Sequence, residues 1–336
     1  MRKKILITGA SGFIGSFLAE EALLEGYVLY AGVREGSSRQ YLMSQAIRFF
    51  PMDLSSEESL TRGFINFNQQ EGGFDYIIHN AGITREAQSG DFYRVNDHYT
   101  RNLASAILSA GKLPEKFIFI SSLAVKGPGD PVLFTPIRPS DPDQPVSTYA
   151  RSKLAAEKYL QSLEGFPLVI VRPTAVYGPR DRDFLTFFRI IQKGIEPYTG
   201  WKKQMISLIY VKDLARLVFR IVERAPAGSV YLIGDQQAYR QEDIGAAIKK
   251  VLGRKALRIR LPLVPLRALI WCTDTLGSLF GHPPFLNREK FLEMTASNWL
   301  CHTGSLWQDM DMVPGYSLES GIRETADWYR QQGWLS

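Results

Sequence analysis

The sequence predicts an α/β fold, a doubly wound parallel sheet followed by a smaller, mostly helical C-terminal region. Three observations lead there. Short apolar runs alternate with amphipathic stretches through the first half of the chain, the order of a sheet covered by helices on both faces. Several runs, such as Phe117-Ile118-Phe119-Ile120, are apolar at every position, as strands buried on both faces are. A turn with glycines spaced three apart, Gly9, Gly12 and Gly15, follows the first run and opens the first helical stretch.

Taken in order, the strands are expected at residues 4–8, 27–33, 47–50, 75–79, 117–121 and 168–172. Helical patterns lie between them at 12–25, 56–66, 91–110 and 148–163. Gly26 and Gly111 end two of the helices. Residues 127–145 hold six prolines and two glycines and read as a long loop, a kind that in compact domains is usually functional. Residues 205–209 and 230–233 are two more strand candidates that would extend the sheet, and beyond Gly234 the pattern is mainly helical.

Composition excludes several classes. With 45% apolar, 22% charged and 12% aromatic residues the chain is an ordinary globular one, neither fibrous nor disordered. Cys272 and Cys301 lie far apart, which argues against a disulfide framework or zinc site and suits a reducing compartment such as the cytoplasm. No apolar run reaches the roughly 18 residues that span a bilayer, so no stable membrane insertion is expected. The basic start, Met1-Arg2-Lys3-Lys4, superficially resembles a signal peptide, but Gly9, Gly12 and Gly15 interrupt any apolar core, and it reads as a first strand. A net charge of +6 invites a nucleic-acid reading. The cations are scattered, and their densest stretch, residues 249–260, follows a helical pattern whose C-terminus they complement. That is the preferred reading, and attraction of an anionic cofactor or substrate is a second use for the surplus.

The glycine turn suggests which one. In Thr8-Gly9-Ala10-Ser11-Gly12-Phe13-Ile14-Gly15, Gly9 permits a tight turn, Gly12 lets backbone N–H groups approach a pyrophosphate, and Gly15 lets the helix pack closely on the sheet. The strand-turn-helix setting is the one a dinucleotide-binding Rossmann unit requires. The expected pyrophosphate set is Gly9, Ser11, Gly12, Phe13, Ile14 and Gly15. The acid that usually takes the NAD ribose is missing where the second strand ends in Gly32-Val33-Arg34. Arg34, with Ser37, Ser38 and Arg39, suits a 2′-phosphate, which favours NADP while leaving NAD open; a solvated basic loop is the competing reading. Asp53-Leu54, past the third strand, is placed to flank an adenine or to lead into a helix cap.

Tyr149 and Lys153 stand four residues apart on a predicted helix and so share a face. A tyrosine ionises near pH 10, and an ammonium beside it lowers that value, making the phenol a usable acid or base. Alone, the pair is as compatible with a solvated helix surface. Ser121-Ser122, at the end of an apolar strand, adds a hydroxyl at the carboxyl edge where α/β sheets bind ligands.

These pieces together resemble the extended short-chain dehydrogenases/reductases, in the NAD-dependent epimerase/dehydratase family. The resemblance runs in order through the glycine turn, Asp53-Leu54, His79-Asn80-Ala81-Gly82, Val95-Asn96, Ser121-Ser122-Leu123-Ala124-Val125 and Tyr149-x-x-x-Lys153. It continues through residues 172–179, from Arg172-Pro173 to Gly178-Pro179, and through Tyr210-Val211-Lys212-Asp213-Leu214-Ala215. It implies a dinucleotide-binding domain of residues 1–175 and 205–235 and a substrate-binding region of 176–204 and 236–336. It implies that Tyr149 exchanges a proton with the substrate oxygen and that Lys153 also holds the nicotinamide ribose. Ser122 aligns with the catalytic hydroxyl better than Ser121 does. Asn80, Ala81 and Gly82 would line the cofactor trough, Pro173 and Val176 would pass beside the nicotinamide, and Asn96 would be structural. A homodimer through the helices at 91–110 and 148–163 is also implied.

Within the family, Val33-Arg34 and the C-terminal pattern from Trp299 to Leu335 resemble dihydroflavonol-reductase-like members. Sugar-nucleotide epimerases fit the layout too, although Lys126 stands where many of them carry an aromatic residue. Three functions therefore follow for testing: net hydride transfer on a carbonyl/hydroxyl substrate, epimerisation or dehydration of an NDP-sugar, or a cofactor-sensing protein without chemistry. His98 and His302 are weak candidates beside Tyr149. Arg85, Arg180, Arg182 and Lys202 could meet an anionic substrate, with solvated surface as the default. No cluster has metal-ligand spacing. The apolar stretch 261–280 reads as a lid, a dimer contact or core, or as a membrane-surface contact that Asp274 disfavours.

Overall fold

The computed structural model describes residues 2–86, 88, 90–267, 270–271 and 288–335. Most of the stretch 261–280 lies outside the described residues. The first half runs β1 (Lys4–Thr8), α1 (Phe13–Leu24), β2 (Val28–Val33), β3 (Arg48–Pro51), α2 (Glu57–Glu71) and β4 (Tyr76–His79). It continues with α3 (Tyr99–Ser109), β5 (Lys116–Ile120), α4 (Thr148–Gln161), β6 (Leu168–Pro173) and β7 (Ala175–Tyr177). Then come α5 (Arg182–Gln192), β8 (Ile195–Thr199), β9 (Met205–Ile206), β10 (Leu208–Tyr210), α6 (Val211–Arg224) and β11 (Val230–Ile233). Strands β12 (Tyr239–Arg240), β13 (Leu257–Leu261) and β14 (Asn298–Trp299), with α7 (Gln241–Leu252) and the C-terminal helix Leu318–Gln331, complete the main elements.

The seven-stranded sheet has the order β11-β6-β5-β4-β1-β2-β3, and β1 to β6 pair in parallel. This is the doubly wound sheet the sequence predicts. Strand order reverses between β1 and β4, so the connections after them leave toward opposite edges and open a crevice there. Local signals set the boundaries: Ser56 Oγ accepts from Ser59 N at 3.2 Å to start α2, and Gly72 ends it at φ 79°. One sheet face packs on an aromatic cluster in which Phe67 and Phe74 stack at 3.9 Å with Phe50 and Phe64 beside them.

Two compact units emerge. The first comprises Met1–Val125, Thr148–Arg172 and Ala215–Tyr231; the second comprises Lys126–Ser147, Pro173–Leu214 and Leu232–Ser336. The core of the second gathers Tyr177, Phe188, Tyr210, Ile322 and Tyr329. Its boundary differs from the expected one at residues 126–147, 173–175 and 232–235, all expected in the first unit. It differs also at residues 205–214. They do not extend the large sheet: β9 pairs with β12 and β14, and β10 with β7. The apolar run 205–209 is two short strands in two sheets, split at Ser207, whose Oγ accepts from Cys301 N at 3.1 Å. Residues 91–110 are also not one regular helix. They begin with a π-helical stretch, Tyr93–His98, before α3.

Candidate active site

The register pairs Thr8 with His79 and His79 with Phe119, so β1, β4 and β5 end at one sheet edge. The loops leaving them carry Gly9, Asn80 and Ser121-Ser122. Gly9 adopts φ 67°, and a Cβ there would stand 2.8 Å from the Ala81 backbone. A Cβ at Gly15 would overlap the Gly9 carbonyl. Both positions therefore demand glycine. Gly12 N donates to Gly9 O at 3.0 Å and closes the turn. Gly12 itself is exposed, Ser11, Phe13 and Ile14 are half-buried, and the first turn of α1 carries no acid to repel an anion. The turn fits a diphosphate on these grounds.

Beneath it runs a polar chain that the sequence reading missed. Thr8 Oγ1 lies 2.7 Å from His79 Nδ1, His79 Nε2 lies 2.9 Å from Thr100 Oγ1, and Thr100 Oγ1 donates to Asn96 O at 2.8 Å. Thr100 has one proton and spends it on Asn96, so His79 Nε2–H donates to Thr100 and Nδ1 accepts from Thr8. Thr8 Oγ1 in turn accepts from Ala81 N at 3.1 Å, seating the Asn80-Ala81-Gly82 loop. Complete burial holds the His79 imidazolium down to about 3. In the unfolded chain the same ring protonates near pH 6.5. Its contribution to stability is thus complete above about pH 6.5 and is lost as the pH falls toward about 3. The variant His79→Gln is expected to flatten the pH dependence of stability across that window, measured by urea unfolding at several pH values. An unchanged slope would contradict the assignment.

Asn96 links this chain to α4. Its Oδ1 accepts from Ile83 N at 2.8 Å, and its Nδ2 donates to Ile83 O and to Ser152 Oγ at 3.1 Å each. The π-helical stretch delivers it, a departure common at functional sites and invisible to a 3.6-residue pattern. On α4, Tyr149 is half-buried with its ring 5.7 Å from that of Phe92. Lys153, one turn on, is buried, and its Nζ donates to Ile120 O at 2.9 Å. Burial lowers the ammonium to about 8, with the Glu157 carboxylate opposing that shift. It therefore carries its proton at neutral pH. A Cβ on Gly82 would stand 3.2 Å from Lys153 Nζ, which brings the Asn80 loop against the lysine.

Glu157, a further turn along α4, is fully buried and takes a forked contact from Arg172 at the end of β6, Nε to Oε1 at 3.0 Å and Nη2 to Oε2. The pair fixes the helix bearing Tyr149 and Lys153 to the sheet. Of the two serines, Ser122 is half-buried and its Oγ accepts from Ala124 N at 3.1 Å, leaving its hydroxyl proton to give. Ser121 Oγ is buried and, among the described residues, has no hydrogen-bond partner.

Arg34 is exposed just past β2, in a turn closed by Ser37 N donating to Arg34 O at 3.2 Å. Asp53 accepts from Ser55 N and Oγ at 2.9 and 2.6 Å, which holds its carboxyl below the usual range. Leu54 is half-buried, and its carbonyl accepts from Asn102 at 2.9 Å. Pro173 ends β6, and Val176 lies on β7; both belong to the second unit. His98 is largely exposed beside Asp97, and exposed His302 accepts from Gly304 N at 3.1 Å. Arg182 sits over Trp334 at 5.4 Å; Arg85 and Lys202 are exposed, and Arg180 is half-buried. In the second unit, Lys126 anchors the proline-rich loop. Its buried ammonium donates to Pro139 O at 2.7 Å and to Asp141 O, and it pairs with Asp143 at 2.9 Å.

A parallel sheet with a glycine turn at its switch point, and a tyrosine–lysine helix beside it, defines the class: a dinucleotide-dependent α/β enzyme. The comparisons narrow it. Residues 5–234 match the model of the NAD dependent epimerase/dehydratase family, and the chain belongs to that family. It is 28% identical to a UDP-glucose 4-epimerase of Vibrio cholerae, over 98% of this chain and 97% of that one. It is equally 28% identical to a ceramide reductase of Caulobacter vibrioides, over 99% and 96%. Its fold matches the Thermus thermophilus UDP-glucose 4-epimerase solved with NAD, at TM-score 0.75, 21% identity and coverage of 97% and 99%. The chain is thus an NAD-dependent-family enzyme of the extended short-chain dehydrogenase/reductase type, and the cofactor-sensing reading without chemistry falls away.

Proposed function

We propose that the protein catalyses hydride transfer on a carbonyl/hydroxyl pair of a small-molecule substrate, with Tyr149 as its acid/base. The observation that carries this is the buried Lys153 ammonium, held by Ile120 O one helical turn from Tyr149. An ammonium there stabilises phenolate, so Tyr149 can give a proton to the substrate oxygen or take one from it. Ser122 donates its hydroxyl to the same oxygen, orienting it. The Gly9–Gly15 turn with Ser11, Phe13 and Ile14 would hold the pyrophosphate, Asp53 and Leu54 the adenine side, and Asn80, Ala81, Gly82, Pro173 and Val176 the nicotinamide side. The nicotinamide, when bound, supplies or accepts the hydride. Lys153 would also hold its ribose.

Arg34 with Ser37 supports NADP over NAD, because a guanidinium and hydroxyl at the end of β2 match a 2′-phosphate. The helices Tyr99–Ser109 and Thr148–Gln161 are the proposed homodimer contact, and the cytoplasm is the proposed compartment. A second reading, NDP-sugar epimerisation, draws on the kinship with the Vibrio enzyme. The two differ in whether cofactor turns over. Incubated with a panel of ketones and aldehydes, the enzyme is expected to oxidise NADPH stoichiometrically, and faster than NADH. Interconversion of NDP-sugars by a tightly retained cofactor, with no net oxidation, would replace this reading with the second.

A further inference from the structure

Strand β13 presents a surface that the chemistry leaves unused. Among the described residues its one sheet partner is β8. Four of its five residues are exposed, and only Ile259 is half-buried, so among the described residues neither face is covered. Leu257 is 71% exposed, and Val264, in the helical turn that follows, is 81% exposed. Trp201, next to Gly200, is 62% exposed. Leu261 pairs with Thr199 and accepts from Gly200 N at 2.9 Å, and the Leu263 side chain stands 3.0 Å from where a Gly200 Cβ would be.

Cations interleave with these apolar groups. Arg258 and Arg260 alternate with leucine and isoleucine along β13, and Lys202 and Lys203 follow Trp201. Residues 254–271 contain five cations and no acid. Of the nearby acids, Glu196 is fully buried and occupied by Lys249 at 2.6 Å and Arg258 at 3.3 Å, while Glu242 borders Arg260 and Lys202. Lys203 lies over the Phe134 ring at 4.8 Å. Among the described residues, cations outnumber acids around the exposed aliphatic and indole side chains.

We propose that this face docks on a bilayer bearing anionic lipid headgroups. Cations meet the headgroups, while Trp201 and the exposed aliphatics enter the boundary between headgroup and acyl chain. Indole rings favour that depth. A second copy fits worse, because a two-fold contact sets Arg258 and Arg260 against like charges. A nucleic acid would satisfy the cations and leave Leu257, Leu261 and Val264 in water. Contact is peripheral: among the described residues no helix is long and apolar enough to cross a membrane.

Flotation of the full-length protein with vesicles tests this. Binding is expected to phosphatidylcholine vesicles containing about one third phosphatidylglycerol, falling steeply with salt, and little to phosphatidylcholine alone. The double variant Trp201→Ser/Arg260→Glu is expected to lose about tenfold or more in binding, and Arg260→Gln alone a smaller share, with melting temperature as the check on folding. Tyr149→Phe is expected to bind vesicles as the unaltered protein does, so failure of the catalytic reading and of this one are separable. Absence of flotation at low salt, binding untouched by the variants, a dimer that these substitutions dissociate, or tighter binding to a DNA duplex than to vesicles would each overturn it.

Discussion

Tyr149→Phe is expected to lower kcat by about 10²–10⁴-fold, the usual worth of a positioned acid/base, while dinucleotide binding persists. The substitution removes one oxygen and keeps the ring, so the contact with Phe92 at 5.7 Å survives. Lys153 keeps its bond to Ile120 O, and the glycine turn is untouched. The proton route is lost. Fluorescence titration with NADPH checks binding, and single-turnover kinetics check chemistry. A variant with full turnover would mean that another group moves the proton. Loss of cofactor binding in step with activity would mean that the hydroxyl's role is structural.

Glu157→Leu carries the largest expected stability effect. Glu157 is fully buried and Arg172 nearly so, and they meet in a forked contact. Removing one partner leaves a buried charge without its counterion, a change that costs about 3–5 kcal/mol. The double variant Glu157→Leu/Arg172→Met removes both charges and is expected to recover much of that loss. The single change also reaches the site, since Glu157 is what opposes the depression of the Lys153 ammonium. Without it the lysine falls below about 8 and deprotonates closer to neutral pH. Urea denaturation reads the first effect and the pH profile of turnover the second. A loss below about 1 kcal/mol would show that Arg172 finds another counterion or water.

What the sequence reveals depends on how local the cause is. Strands 4–8 and 230–233 emerge with the bounds read from the chain, because apolar runs between turn residues define them. The glycine turn and the Tyr149–Lys153 spacing are legible for the same reason: each works through residues a few positions apart. The His79 chain is not, because Thr8, His79 and Thr100 come together only when β1 and β4 pair and the π-helical stretch turns Thr100 inward. The split of residues 205–209 escapes periodicity too, since their partners, Ala175–Tyr177 and Asn298–Trp299, are remote in sequence. Lys126 stands out in the sequence only as a departure from an aromatic position. Its use, holding Pro139 and Asp141 carbonyls and Asp143, appears once the loop is folded.

A crystal structure of the enzyme grown with NADPH shows whether Tyr149 and Lys153 meet the nicotinamide. The diphosphate is expected on the backbone of Gly9 to Gly15, with the Lys153 ammonium at the nicotinamide ribose and the Tyr149 hydroxyl facing the ring's reactive carbon. A dinucleotide seated away from that turn, or a ring out of reach of Tyr149, would contradict it.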